Sequence, residues 1–486
     1  MTLTVLLEWL SQNLASIAAI VATLFAVLGV MSALEAIMKS RTAQGAVAWA
    51  IVLVGFPPLF VPLYWVFGRR RFRGYAMAKR EDAREFHRQA NRLGLSLSDF
   101  DAQDSDNDPR LVALPQLSSM PFSRGNSARL LIDGDTAFAD IFEHIRQAKE
   151  YVLLEFYIVR DDQVGRELAE LLLAKAAEGL AIYFIYDEIG SFQLPRQYIH
   201  RLRQGGIAIH PFNSTKGVGN RLQLNFRNHR KIVVTDGAYA AIGGMNIGDE
   251  YRHQHPRLSP WRDTGLAITG PAVKAVQLAF AEDWYWATEQ LPALNWTPKP
   301  NPNADNHLLI LPSGPADYVE TCALFFHNMI NQAQHRLWIV SPYFVPDPPV
   351  IQALQLAAMR GVDVRIMLPD LPDKLIIKLS SYTAIRETLP QGVQFYYYQK
   401  GFLHQKVLLV DDDISSVGTA NLDNRSLRLN FEISAVSHDK DFARQVEAML
   451  VEDFRQCTQL LPKTVAKWSL LRRILSRCAY LFAPVQ

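Results

Sequence analysis

Residues 229–236 read HRKIVVTD and residues 404–411 read HQKVLLVD, two copies of one code, His-x-Lys-x4-Asp. Each copy opens the same tail: Gly243 and Asn246 lie seven and ten residues after Asp236, and Gly418 and Asn421 lie seven and ten after Asp411. Each His-x-Lys begins a β-like run, 231–235 (KIVVT) and 406–410 (KVLLV), in which residues i and i+2 share a face. His229 with Lys231, and His404 with Lys406, can therefore converge on one anion.

The surroundings repeat as well. Around the first copy the pattern predicts a helix over 141–148, a buried strand over 151–159 (YVLLEFYIV), a helix over 167–178 and a strand over 181–186. Around the second, 324–333, 337–345 (LWIVSPYFV), 350–359 and 362–368 give the same order. Alternating helix and strand predicts α/β layers. Asp263 and Glu432 stand 169 residues apart, and Glu282-Asp283-Trp284 recurs 170 residues later as Glu452-Asp453-Phe454. So long a period means an intramolecular pair. The expectation is two repeats, 126–291 and 305–456, joined by a proline-rich linker at 292–304 and packed as a pseudo-twofold pair of mixed β-sheets with flanking helices. Their interface would gather both His-Lys pairs.

Paired imidazoles suit phosphodiester exchange, because one ring can attack phosphorus while the other, protonated, supplies the leaving group's proton. Lys231 and Lys406 would neutralise the non-bridging oxygens, and Asn246 and Asn421 would donate hydrogen bonds to the same phosphate. Asp263 and Glu432 could hold the far nitrogen of a motif histidine. Asp236 and Asp411 stand with the His and Lys as catalytic candidates, the alternative being a hydrogen-bonding role at the strand's end. The scheme calls for no metal and no cofactor.

Two uncharged runs, about 14–34 and 45–67, are each long enough as a helix to cross ~30 Å of hydrocarbon. Together they predict a transmembrane hairpin within 1–73, although Pro57, Pro58 and Pro62 leave open a re-entrant second half. Arg69, Arg70, Arg71 and Arg73 follow the second run, against Lys39 and Arg41 between the runs. That asymmetry places the long remainder in the cytoplasm. A polar connector is expected over 74–125. The tail, 457–486, contains Lys463, Lys467, Arg472, Arg473 and Arg477 interleaved with apolar residues and no acid. It reads as an amphipathic helix on an anionic membrane, or else as a terminal helix docked on the second repeat.

Composition narrows the classes. Fifty basic against 48 acidic residues give a net charge of +2, unlike a strongly basic nucleic-acid binder. Cys322, Cys457 and Cys478 form neither a disulfide framework nor a zinc pair, in keeping with a reducing compartment. The sequence assigns no oligomeric state.

Over 225–251 (NFRNHRKIVVTDGAYAAIGGMNIGDEY) and 401–432 (GFLHQKVLLVDDDISSVGTANLDNRSLRLNFE) the chain resembles the phospholipase D superfamily, and within it the bacterial cardiolipin synthases. Arg41, Ala48-Trp49 and 64–68 (YWVFG) are similar too. The resemblance implies transfer of a phosphatidyl group between two phosphatidylglycerol molecules in the bacterial inner membrane, giving cardiolipin and glycerol without nucleotide or metal. It further implies His229 as nucleophile and His404 as acid/base. The alternatives are a membrane-bound hydrolase or a transphosphatidylase with another acceptor; the apolar N-terminus favours lipid over nucleic acid as partner.

Overall fold

The computed structural model describes residues 3–40, 42–68, 100–212, 225–297 and 299–486. The arginine cluster after the second apolar run and most of the expected connector lie outside the described residues. The chain divides into two compact units, Met1–Gly74 with Thr215–Asn225, and Tyr75–Ser214 with Phe226–Gln486.

In the first unit Leu3–Lys39 is a single helix. Its Asn13–Lys39 part, 27 residues, is long and apolar enough to cross a membrane. The second apolar run departs from expectation. It forms a helix over Ala43–Gly55, breaks at Phe56, and resumes as Pro57–Leu63 and a π turn over Tyr64–Gly68. Pro57 and Pro58 cause the break: proline lacks the N–H that would continue the ladder, but is tolerated in a helix's first turn. Leu53, Val61 and Tyr64 pack with Ala33 and Ala36, and Trp65 Nε1 donates to Ser32 Oγ at 3.2 Å.

The second unit is built on one continuous mixed sheet of 16 strands rather than two separate sheets. From the middle outward, first-half strands run Ser123–Ile132, Thr264–Thr269, Tyr239–Gly243, Ile232–Thr235, Tyr151–Phe156, Ala181–Tyr186 and Ala208–Pro211. Second-half strands run in the matching order Asn306–Ser313, Asn430–His438, Ile414–Gly418, Val407–Val410, Arg336–Val340, Asp363–Pro369 and Gln394–Tyr398. The halves join where Ser123–Ile132 pairs antiparallel with Asn306–Ser313. Strands such as Tyr151–Phe156 are buried along their whole length, because helices cover both faces; this is why they read as apolar runs without alternation.

Each half has its own core, Phe138, Phe142, Leu168 and Phe184 in the first, Phe325, Phe344, Leu354 and Phe395 in the second. Residues 100–122, expected as connector, belong to the second core through Leu111, Leu114 and Phe122. The tail is likewise docked. Cys457–Leu460 adds an antiparallel strand to Gln394–Tyr398, and the helix Leu470–Tyr480 lies against Leu375–Thr388.

Candidate active site

Two short parallel pairings between the halves set the register of the site. Arg227–Asn228, just before His229, pairs with Asn430–Phe431, just before Glu432. Phe402–Leu403, just before His404, pairs with Trp261–Arg262, just before Asp263. The next main-chain bonds continue each ladder, His229 N to Phe431 O at 2.9 Å and His404 N to Arg262 O at 2.7 Å. Each histidine is thereby set beside a carboxylate of the opposite half.

The side chains follow the register. His229 Nδ1 lies 2.9 Å from Glu432 Oε2, and His404 Nδ1 lies 2.8 Å from Asp263 Oδ2. A carboxylate only accepts, so Nδ1 carries the hydrogen and the Nε2 lone pair is left for chemistry. Both acids are fully buried. Glu432 also accepts from Thr419 Oγ1 at 2.5 Å, Ser426 Oγ at 2.8 Å and Asn430 Nδ2 at 3.1 Å. Asp263 Oδ1 accepts from Thr264 N at 2.8 Å. Gly244 explains the small residue after the motif glycine: a Cβ there would stand 2.1 Å from Asp263 Oδ1. Thr419, its counterpart, instead supplies a donor to Glu432.

Burial governs the electrostatics. It pushes His229 down to about 4 against the partial counter-pull of Glu432, with Lys231 and Lys406 adding to the fall. His404 is likewise pushed down to about 4 by burial and by Lys406 and Lys231, Asp263 opposing. Burial also lowers Lys231 to about 7 and Lys406 to about 8. Glu432 is raised by its burial, but the charge and hydrogen bond of His229 outweigh that and hold it at about 2. Each lysine acts on the histidine of the other half, so the four groups share one field. Lys231 Nζ donates to His229 O at 2.6 Å, and Lys406 Nζ donates to His404 O.

The aspartates of the code do not join this cluster. Asp236 accepts from Lys149 N, Glu150 N and Tyr151 N at 2.8, 2.8 and 2.9 Å. Asp411 accepts from His335 N at 2.8 Å, Arg336 N at 3.1 Å and Gln334 N at 3.2 Å. Five residues of strand carry each about 16 Å beyond its lysine, and both sit at positive φ, 54° and 51°. Of the two roles expected for them, these bonds support the hydrogen-bonding one, tying a turn to the start of the neighbouring strand.

Asn246 is also engaged: its Oδ1 accepts from Ile158 N at 3.0 Å and its Nδ2 donates to Tyr251 Oη at 2.6 Å. Asn421 is buried, and its Oδ1 has no hydrogen-bond partner among the described residues. Sequence reasoning missed two tyrosines beside the histidines. Tyr157 meets His229 edge-on at 5.1 Å, and Tyr251 meets His404 at 6.3 Å. It also missed Asn228, whose amide donates to Asp283 at 3.1 Å and to Glu155. The repeated Glu-Asp-aromatic sequence did point to a real support. Asp283 binds Arg230, between His229 and Lys231, at 2.6 Å; Asp453 accepts from Gln405, between His404 and Lys406, at 2.8 Å.

Comparison with known proteins bears on the chemistry. The family model for "Cardiolipin synthase, PLD-like domain" matches residues 141–284 and 326–454, one segment over each half. The chain belongs to the cardiolipin synthase family of phospholipase D-like enzymes. It is 47% identical over 463 residues to a cardiolipin synthase A of Pseudomonas putida KT2440, covering 94% of this chain and 96% of the relative. It is 46% identical to the cardiolipin synthase A of Pseudomonas aeruginosa LESB58, covering 94% of each. Among solved structures, phosphatidylserine synthase of Haemophilus influenzae Rd KW20 shares the fold, with a TM-score of 0.56 at 16% identity over 78% of this chain and all of that one. Membership makes the chain a phosphatidyltransferase of phospholipid synthesis and agrees with the resemblance read from its motifs.

Proposed function

We propose that the two halves act as a pseudo-twofold pair transferring a phosphatidyl group between two phosphatidylglycerol molecules. The crossed pairs His229–Glu432 and His404–Asp263 carry this reading, since each imidazole is fixed with Nε2 available. In the first step Nε2 of His229 forms a bond to phosphorus while the P–O bond to the glycerol headgroup breaks, and His404, which burial keeps neutral in the free site and which takes up a proton on Nε2 together with the anionic phosphodiester, gives that proton to the departing oxygen. In the second, a headgroup hydroxyl of another phosphatidylglycerol loses its proton to His404 and attacks the phosphohistidine, releasing His229. Products are cardiolipin and glycerol, and His404 ends protonated as it began. Lys231 and Lys406 balance the phosphate charge, and the Asn421 amide donates to a non-bridging oxygen as charge builds. The helix Asn13–Lys39 and the broken second segment form the membrane anchor, with the arginines after residue 68 holding the catalytic unit on the cytoplasmic side of the inner membrane.

The test supplies headgroup-labelled phosphatidylglycerol to the purified protein and follows products by mass. Cardiolipin and free glycerol in equal amounts are expected, and none of either from His229→Ala or His404→Ala. Phosphatidic acid as the sole lipid product overturns transfer, and cardiolipin from either variant overturns the two-histidine mechanism.

A further inference from the structure

The tail helix Leu470–Tyr480 is docked on one side and apolar on the other. Ser476 and Ala479 are buried, as is Trp468 just before the helix. Arg472 stacks over Trp468 and Tyr382 at 4.3 and 4.1 Å, and Arg477 pairs with Glu387 at 3.2 Å. These contacts fix the helix's rotation against Leu375–Thr388. Leu470, Leu471, Ile474, Leu475, Leu481 and Phe482 are nonetheless exposed, Leu470 by 68%, Leu471 by 66% and Leu481 by 78%. At about 100° per residue they fall within an arc of roughly 140°, away from Ser476 and Ala479. Exposed Cys478 lies within the same arc.

The partner helix also exposes apolar residues, Leu375 and Ile376 at its start and Leu371 in the loop before it. That loop reaches toward the site. Its Asp373 accepts from Tyr343 Oη at 2.6 Å, and the charge of Asp373 is felt by Lys406. Exposed Lys463, Lys467 and Arg473 accompany the apolar arc, and 463–486 contains no acid. On the partner element Asp370, beside Leu371, is exposed but paired with Lys378 at 3.4 Å, and an aliphatic face with this excess of basic companions matches the acyl boundary and anionic headgroups of a bilayer leaflet.

We infer that the faces of Leu470–Tyr480 and of the start of Leu375–Thr388 form a second membrane contact, one that seats the catalytic unit on an anionic lipid surface beside the site. It rests on the proposed lipid transfer only for its purpose, not for its existence.

The test uses the full chain with Cys457→Ser and an environment-sensitive fluorophore on Cys478, Cys322 being buried. In vesicles of phosphatidylethanolamine and phosphatidylglycerol, spin labels on acyl chains should quench the probe and aqueous iodide should not; in phosphatidylcholine alone, iodide should quench it. Iodide quenching in the anionic vesicles overturns the inference, as does energy transfer between two labelled chains without lipid quenching, which assigns the face to a second copy. Equal acyl-chain quenching in both vesicle types overturns the choice of an anionic surface.

A second arm needs no label. Leu471→Ser with Ile474→Ser should slow transfer from vesicle phosphatidylglycerol about tenfold while leaving transfer from water-soluble short-chain phosphatidylglycerol unchanged. Equal rates on vesicles overturn the contact. If the unsubstituted chain makes cardiolipin from neither substrate, the proposed reaction falls, and the probe still reads the surface.

Discussion

Replacing Asp236 separates a catalytic from a structural reading of the code's last residue. Its Oδ1 accepts two main-chain N–H groups and its Oδ2 a third. Asp236→Asn keeps Oδ1 but turns an NH2 toward Lys149 N–H, losing one bond to a charged group and weakening two. With hydrogen bonds to charged groups at ~1.5–3 kcal/mol and partial exposure reducing the cost, the net loss is about 2 kcal/mol. Asparagine tolerates the left-handed φ of 54°, so backbone strain adds little. Asp236→Ala loses all three bonds and the tolerance, about 4 kcal/mol. The asparagine variant should melt about 2–3 °C lower by intrinsic fluorescence. Its transfer rate per folded molecule, measured well below that temperature, should stay within about threefold of the parent. A reacting group would behave otherwise, since its removal costs on the order of 10⁴-fold in kcat. An Asp236→Asn protein with unchanged melting and a rate lowered by more than about 100-fold refutes the reasoning. Asp411→Asn should repeat the result in the second half.

The crossed carboxylates predict crossed phenotypes. With a p-nitrophenyl phosphodiester, whose leaving group needs no proton, Asp263→Asn should impair His404 in the second step alone and let phosphohistidine accumulate at His229, whereas Glu432→Gln should impair formation of that intermediate. Each should cost about 10²–10⁴-fold in kcat, and exchanged phenotypes in acid-quenched trapping would refute the crossing. For pH, lysines are charged below their pKa, and burial sets those of Lys231 and Lys406 at about 7 and 8. The kcat/KM for an anionic lipid should therefore fall as pH rises through 7–8, while the limb in kcat moves upward because bound phosphate retains the protons; a flat kcat/KM to about pH 9.5 contradicts this. Asp283→Ala strands the buried Arg230 charge and should cost about 3–5 kcal/mol. Arg230→Met added to it should restore part of the melting temperature, and no restoration means the pair is not the cause.

The strands carrying the motifs were legible because a strand buried on both faces must be apolar throughout, as in YVLLEF. The helix expected over 350–359 was legible from its apolar spacing, and its start is marked by a cap that the spacing did not use, Asp347 accepting from Val350 N at 3.2 Å. Asp263 and Glu432 could be found as supports because they repeat, yet the sequence contains nothing that says which histidine each one holds. That depends on the two-residue pairings between segments far apart in the chain, with 203 residues separating His229 from Glu432 and 141 separating His404 from Asp263. The role of Asp236 stayed open between chemistry and a hydrogen bond at the strand's end for a related reason. A motif shows which residues recur, but only the strand's direction shows that the aspartate ends far from the histidine. The broken second apolar run had its signal in Pro57 and Pro58, and length alone argued the other way.

The two histidines are alike in burial but not in what holds them, and the difference fits the proposed division of labour. Glu432 spreads its charge over Thr419, Ser426 and Asn430 besides His229, so it orients that ring firmly while gaining less from a further positive charge on it. Burial keeps that ring in the neutral form that a nucleophile needs. Asp263 has Thr264 N and His404, and Gly244 leaves its carboxylate room without adding a side-chain donor. Fewer donors share its charge with His404, but burial holds both rings at about 4 in the free site, so the proton that an alternating acid and base requires arrives with the bound phosphate. Because each carboxylate comes from the opposite half, neither repeat alone contains a complete pair. The two copies of the code therefore differ at the supports, Asp against Glu and Gly against Thr, while the histidines and lysines of the proposed reaction are the same in both.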